Sequence, residues 1–221
     1  GRSIEFNAMY MDRYLWDLQF GASRIVPRRR AAGAPIDGVV VSAGIPALDE
    51  AVKLVRDLRA DGFPYVAFKP GTVDQIRQVV AIAREVAPVP VIMQVEGGQA
   101  GGHHSWESLD DLLARTYAHV RANDNIILVA GGGIGTADVA SRYLWGSWSV
   151  ERSLPPMPVD AVMVGTAAMT AREALTSPDV KRMLVATPGL SSGGKAQDDD
   201  PFAPREPWVR AFRVDGGMTS G

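Results

Sequence analysis

The chain has no cysteine among its 221 residues, which excludes disulfides, a thiolate nucleophile and any cysteine-ligated metal or cluster. A reducing compartment is compatible with that composition. Charge of one sign is also lacking: 23 Lys and Arg stand against 25 Asp and Glu, a formal net charge of -2. Nothing in that balance attracts a phosphate polymer, and no nucleic-acid partner is expected. The one basic run, Arg28-Arg29-Arg30, is read as a helix end or a solvated face. No apolar run reaches the roughly 18 to 20 residues that cross a bilayer, and the first residues lack the charged and apolar parts of a signal peptide. No membrane partner is expected, and the chain is read as cytoplasmic. Histidine is scarce as well, three residues in all, yet two of them, His103 and His104, are adjacent.

What is present is a regular alternation. With 46% hydrophobic and 22% charged residues the composition is that of a globular protein. Strand-like and helix-like runs alternate six times, the pattern of βα units around a parallel sheet. Strands are expected at residues 4–9, 38–42, 65–68, 89–96, 126–130 and 161–164. A helical stretch from Asp12 to about Ala32 is expected to break near Gly21 and Pro27. Leu48, Val52, Val55 and Leu58 form an apolar stripe at helical spacing. Thr72 with Gln75 reads as a capping box, and Ser108, Thr136 and Ser177 read as further helix starts, the last followed by Pro178 and Asp179. From Pro188 onward Gly, Ser, Pro and Asp dominate, and residues 188–221 are read as an irregular loop or linker tail.

Repeated units with glycines at the last two strand ends predict an α/β fold, a TIM (β/α)8 barrel of which about six units are visible. Residues 1–187 would form this portion. The chain opens abruptly on a strand pattern, so the units are expected to be the third to eighth, with two more preceding Gly1.

Three clusters could carry chemistry. The run Val89 to Glu96 ends in Gly97-Gly98-Gln99-Ala100-Gly101-Gly102-His103-His104, a backbone able to approach a ligand closely beside two side chains that titrate near neutral pH. His103 is the candidate general acid or substrate-orienting donor, and His104 the more structural of the pair. Neighbours on an extended chain point to opposite sides, and the nearby acids have no ligand spacing, so no metal is expected. The second cluster is Gly131, Gly132 and Gly133 with Gly165 and Thr166, where strand-end glycines and helix starts commonly hold a phosphate. A dinucleotide fingerprint fails on the same glycines, because Thr136 stands where its third glycine belongs. The third is Lys69 at a strand end, a cation that could stabilise an anionic ring or form a rim salt bridge. Asn7, Ser42 and Gln94 occupy comparable positions.

Glu96-Gly97-Gly98-Gln99-Ala100-Gly101-Gly102-His103, Ala130-Gly131-Gly132-Gly133-Ile134 and Val164-Gly165-Thr166 resemble the flavin-dependent enoyl-ACP reductase and nitronate monooxygenase superfamily. With Phe68-Lys69-Pro70-Gly71-Thr72, the doubled histidine, Pro155-Pro156-Met157-Pro158 and Thr176-Ser177-Pro178-Asp179, the chain is similar to the enoyl reductase domain of fungal and mycobacterial type I fatty acid synthases. The resemblance covers residues 4–197. It implies FMN and NADPH as cofactors and reduction of a trans-2-enoyl thioester on an acyl carrier protein domain. It further implies other synthase domains as partners, in a homo-oligomer. By position, Gly131, Gly132, Gly133, Gly165 and Thr166 would hold the phosphate, Lys69 and Gln94 would contact the flavin, and His103 would lie near the substrate carbonyl or supply the proton; Asn7, from its strand position, could hydrogen-bond the ring. A nitronate monooxygenase, or a structural piece inactive by itself, is the alternative.

Overall fold

The computed structural model describes residues 3–101 and 103–186, with the backbone alone for His103, 212–214 and 218–220. The Asp198-Asp199-Asp200 run and the segment around Lys195 lie outside the described residues. Two compact units divide the chain, residues 1–95 with 115–129, and residues 96–114 with 130–221.

The first unit is built from successive βα steps. Strand β1 (Ile4–Met9) is followed by α1 (Arg13–Phe20) and α2 (Ile25–Ala31), then β2 (Ile36–Ser42), α3 (Leu48–Ala60), β3 (Tyr65–Phe68), α4 (Val73–Val86) and β4 (Val91–Glu96). The pairs β1–β2, β2–β3 and β3–β4 are parallel, in registers such as Phe6 with Val39, Val41 with Phe68 and Phe68 with Met93. A strand covered on both faces needs continuous rather than alternating apolarity. In β2, Val39, Val40 and Val41 are accordingly all buried. By contrast β1 exposes Ile4 and Met9 and buries Ala8.

Helix α3 buries Ala51, Val52, Val55 and Leu58. The stripe therefore omits Leu48, which is 45% exposed because it lies at the first helical position, before the inward face is established. Helix α4 buries seven apolar residues, and each large one removed from water contributes roughly 1.5–3 kcal/mol. Its cap departs slightly from a reciprocal box: the Thr72 hydroxyl accepts from the Gln75 amide at 3.2 Å, while the Gln75 side chain accepts from the Gly71 amide at 2.8 Å. The basic run is structural at Arg30. Its guanidinium donates to the Asp37 carboxylate at 2.9 Å and the Gly62 carbonyl at 2.6 Å, and it stacks 4.9 Å from the Phe63 ring centre.

Helix α5 (Leu109–Arg121) and β6 (Ile126–Gly131) begin in one unit and end in the other. Asn125, just before β6, donates through its side-chain amide to the Ala83 and Val89 carbonyls and accepts the Val91 amide on its own carbonyl. Six strands follow the order β1-β2-β3-β4-β6-β7, where β7 is Ala161–Met163. The parallel α/β architecture and the six expected strands are thus present.

In the second unit, β5 (His103–Ser105) follows the glycine loop. Helices α6 (Ala137–Trp145), α7 (Ser147–Val150), α8 (Thr166–Met169) and α9 (Pro178–Ala186) come next, and strands β8 (Phe212–Val214) and β9 (Met218–Ser220) close the chain. The last two correct the expectation of a wholly irregular tail: they form an antiparallel sheet with β5, in the order β5-β9-β8. Among the described residues no helix is long and apolar enough to cross a membrane.

Candidate functional site

The second unit contains a cavity of about 260 Å³. Its walls come from three chain segments: Glu96 with Gln99, Ala100 and Gly101; Gly132 to Gly135; and Met163 with Gly165, Thr166 and Ala167. All three follow the carboxyl ends of apolar strands, the position at which parallel α/β sheets place their ligands.

Local chemistry explains how they meet. The Gly97 amide donates to the Gly131 carbonyl at 3.0 Å, tying the glycine loop to the end of β6. Gly132 has φ +103°, which an L side chain rarely adopts. A Cβ there would lie 3.1 Å from the Gly97 carbonyl oxygen and 3.2 Å from the Ala100 nitrogen. The turn thus packs backbone against backbone, and Gln99 comes down over Gly133. A Cβ on Gly101 would meet the Thr166 hydroxyl oxygen at 2.8 Å, whereas one on Gly165 would meet nothing within 4 Å. Thr136 caps α6, its hydroxyl accepting from the Val139 amide at 3.3 Å.

On its far side the loop is closed by its own return. The Gly98 amide donates to the Glu107 carbonyl at 2.9 Å, and the Ser105 hydroxyl accepts the Glu107 amide at 2.9 Å. Next to it, the start of α5 is fastened to the α6–α7 region. The Tyr143 hydroxyl donates to the Asp110 carboxylate at 2.8 Å, Arg152 pairs with Asp110 and Asp111, and Tyr143 stacks on the buried Trp148. Burial first, and the Asp110 charge second, push the Tyr143 phenol above its ordinary pKa.

Of the residues singled out from the sequence, Gly132, Gly133, Gly165 and Thr166 line this cavity. Gly131 does not: it ends β6, with its carbonyl taken by Gly97. His103 and His104 form the first two positions of β5; His104 is half-buried, and the His103 side chain lies outside the described residues. Asn7, Lys69 and Gln94 belong to the other unit. There Asn7 is exposed on β1, Gln94 is half-buried on β4, and the half-buried Lys69 donates its amide to the Val41 carbonyl at 3.0 Å. Ser42 is spent locally, its hydroxyl donating to the Ala8 carbonyl at 3.1 Å.

Among the lining residues that were not singled out as site residues, two carry polar side chains, Glu96 and Gln99. Glu96, 6% exposed, is an acid ending an apolar strand, and its signals were that position and its place at the head of the motif that carries the family resemblance. Gln99 lies within the glycine loop and the same motif. Among the described residues no group of three His, Cys, Asp or Glu side chains could hold a metal.

Comparison with known proteins assigns the family. Residues 90–220, more than half of the chain, match the family described as fatty acid synthase subunit beta/Fas1-like, helical. The fatty acid synthase beta subunit pkiC of Emericella nidulans is 46% identical over 192 residues, 86% of this chain and 10% of that protein. Fatty acid synthase 2 of Mycosarcoma maydis is 44% identical over 188 residues, 85% of this chain and 5% of that protein. The fatty acid synthase subunit beta of Saccharomyces cerevisiae is 36% identical over 190 residues, 86% of this chain and 9% of that protein. The chain therefore spans a tenth or less of the length of these relatives. The match coarsens the sequence resemblance, since neither the family description nor these names specify an enoyl reductase. On the family match, the chain belongs to the fatty acid synthase subunit beta/Fas1-like, helical family.

Proposed function

We propose that this chain is part of an FMN- and NADPH-dependent enoyl reductase within a fatty acid synthase, with its six βα units belonging to a TIM (β/α)8 barrel. The observation carrying this reading is the cavity at the ends of β6 and β7, lined by Gly132, Gly133, Gly135, Gly165 and Thr166. A phosphate fits such a wall, because side-chain-free backbone exposes N–H groups and Thr166 adds a hydroxyl. Space is open in front of Gly165. Glu96 shares the lining, and a buried acid beside a phosphate is unfavourable. The fit therefore requires the phosphate at the Gly165 and Thr166 wall, away from Glu96.

When bound, FMN would supply hydride, drawn from NADPH, to the β-carbon of an enoyl thioester carried on an acyl carrier protein domain. The protein's own contribution is to bind and to hold protons. His103 would donate a hydrogen bond to the thioester oxygen as charge develops there, or deliver the α-carbon proton, and such a donor is commonly worth about 10²–10³ in rate. His104 would hold the strand in place. Other synthase domains, in a homo-oligomer, would complete the assembly.

The test is NADPH-dependent loss of a crotonyl thioester without oxygen, in the complete synthase carrying His103→Ala. Turnover about a hundredfold lower with FMN still bound is expected; unchanged turnover rules the role out. Oxygen-dependent oxidation of a nitronate, with no enoyl reduction by the parent protein, would turn the reading to a monooxygenase.

A further inference from the structure

The histidine strand is three residues long and is paired with a segment more than a hundred positions away. His103 stands opposite Ser220, His104 opposite Thr219 and Ser105 opposite Met218. Strand β9 is in turn covered by β8, with Phe212 opposite Ser220 and Val214 opposite Met218. An isolated pair of such short strands is marginal in water, whereas a third strand stabilises the arrangement. The two ends of β5 are held differently. At the carboxyl end Ser105 is 1% exposed and its hydroxyl, with the Gly98–Glu107 backbone bond, anchors the loop to itself. At the amino end, His103 lies two residues beyond the cavity-lining Gly101, no more than about 7 Å along an extended chain. Strand β9 pairs with β5 along its whole length, this end included.

We infer that the C-terminal hairpin β8–β9 is the positioning element of the histidine strand: pairing with β9 holds His103 and His104 extended beside the cavity. The inference rests on strand pairing, not on the flavin reading, and its test needs no cofactor. In a central strand, alternate residues direct their N–H and C=O groups to opposite neighbours. Proline has no N–H to donate, so Thr219→Pro and Met218→Pro remove a bond toward different partners of β9. Amide hydrogen exchange in the 221-residue chain reads the result.

Loss of one ladder bond should speed exchange at the 103–105 amides by about two- to tenfold. We expect this in one of the two proline variants and in a chain lacking 212–221, with exchange in β2 and β3 unchanged. Thr219→Val keeps the N–H and should retain the parent's protection. Unchanged exchange at 103–105 in both proline variants and the truncated chain overturns the inference. So does an increase that spreads equally through β2 and β3, since the hairpin would then support the whole fold rather than this strand.

Discussion

Replacing Gly132 by alanine adds one methyl group at a position the structure has already filled. Its φ of +103° lies outside the left-handed helical well, and holding a non-glycine residue in such a region costs about 1–3 kcal/mol. The methyl would also stand 3.1 Å from the Gly97 oxygen and 3.2 Å from the Gly97 and Ala100 nitrogens. These are backbone atoms, and the Gly97 nitrogen is already committed to the Gly131 carbonyl at 3.0 Å. Relief therefore needs movement of the loop, an overpacking cost of about 1–3 kcal/mol. The sum is about 2–6 kcal/mol, or a fall in Tm of about 5–20 °C for a domain of this size. Gly165→Ala is the matched control. Its φ is -101° and nothing lies within 4 Å of the added carbon, so less than about 1 kcal/mol should be lost. Thermal and urea unfolding followed by circular dichroism, with FMN titration alongside, separates the two. Gly132→Ala should unfold early, and Gly165→Ala should keep parent stability but bind FMN more weakly. A Gly132→Ala protein within about 0.5 kcal/mol of the parent would refute the packing argument.

Three further outcomes follow from the same structure. Tyr143→Phe removes the 2.8 Å bond to Asp110 and should cost about 1–2 kcal/mol. Because burial and Asp110 raise the folded phenol's pKa, the parent's tyrosine contribution is full below about pH 10 and is lost as pH rises above it; the variant should lack that part of the alkaline slope in Tm. Asp37 has the opposite sign. Its bond from Arg30, and secondarily Ser3, lowers the carboxyl pKa, so its contribution is present above the ordinary carboxylate range and is lost as pH falls through the lowered value. Asp37→Asn should flatten the acid limb of stability against pH, and an unaltered limb would contradict the assignment. Phe68, fully buried on β3, should cost about 3–5 kcal/mol as Phe68→Ala, read from urea midpoints.

The strands were legible because short runs such as Gly38 to Ser42 are rich in β-branched residues and bounded by turn-forming ones, which separates them from a buried helix segment that periodicity alone would allow. Caps were legible at Thr72 and Thr136 because a side-chain oxygen three residues before a free amide is a local arrangement. The histidine segment was not. His103 to Ser105 has neither the length nor the apolarity of a strand, and its extended form comes from pairing with residues 218–220. Asp215-Gly216-Gly217, between the hairpin strands, is the sort of short glycine connection that signals a hairpin. That signal was masked by the Pro- and Asp-rich residues before it. Glu96 and Gln99 stood in the resemblance motif but were given no role, because nothing local distinguishes an acid or amide beside a cavity from one facing water.

The glycines that draw attention in the sequence divide by what occupies the place of the missing side chain. At Gly97 it is Leu109, at Gly98 the Ser105 carbonyl, at Gly101 the Thr166 hydroxyl, and at Gly132 the Gly97–Ala100 backbone. Those positions are filled by protein, and glycine there is a condition of folding. Gly165 differs, since its missing side chain leaves open space in a cavity wall. The triple glycine at the end of β6 therefore acts first on the chain itself, bringing Gln99 and Ala100 to the cavity, and it is the end of β7 that leaves room for a ligand. An anion site read from the glycine run would include Gly131, which does not line the cavity. Read from packing, the weight moves to Gly165 and Thr166, with Glu96 opposing any placement of negative charge at the β4 end of the same cavity.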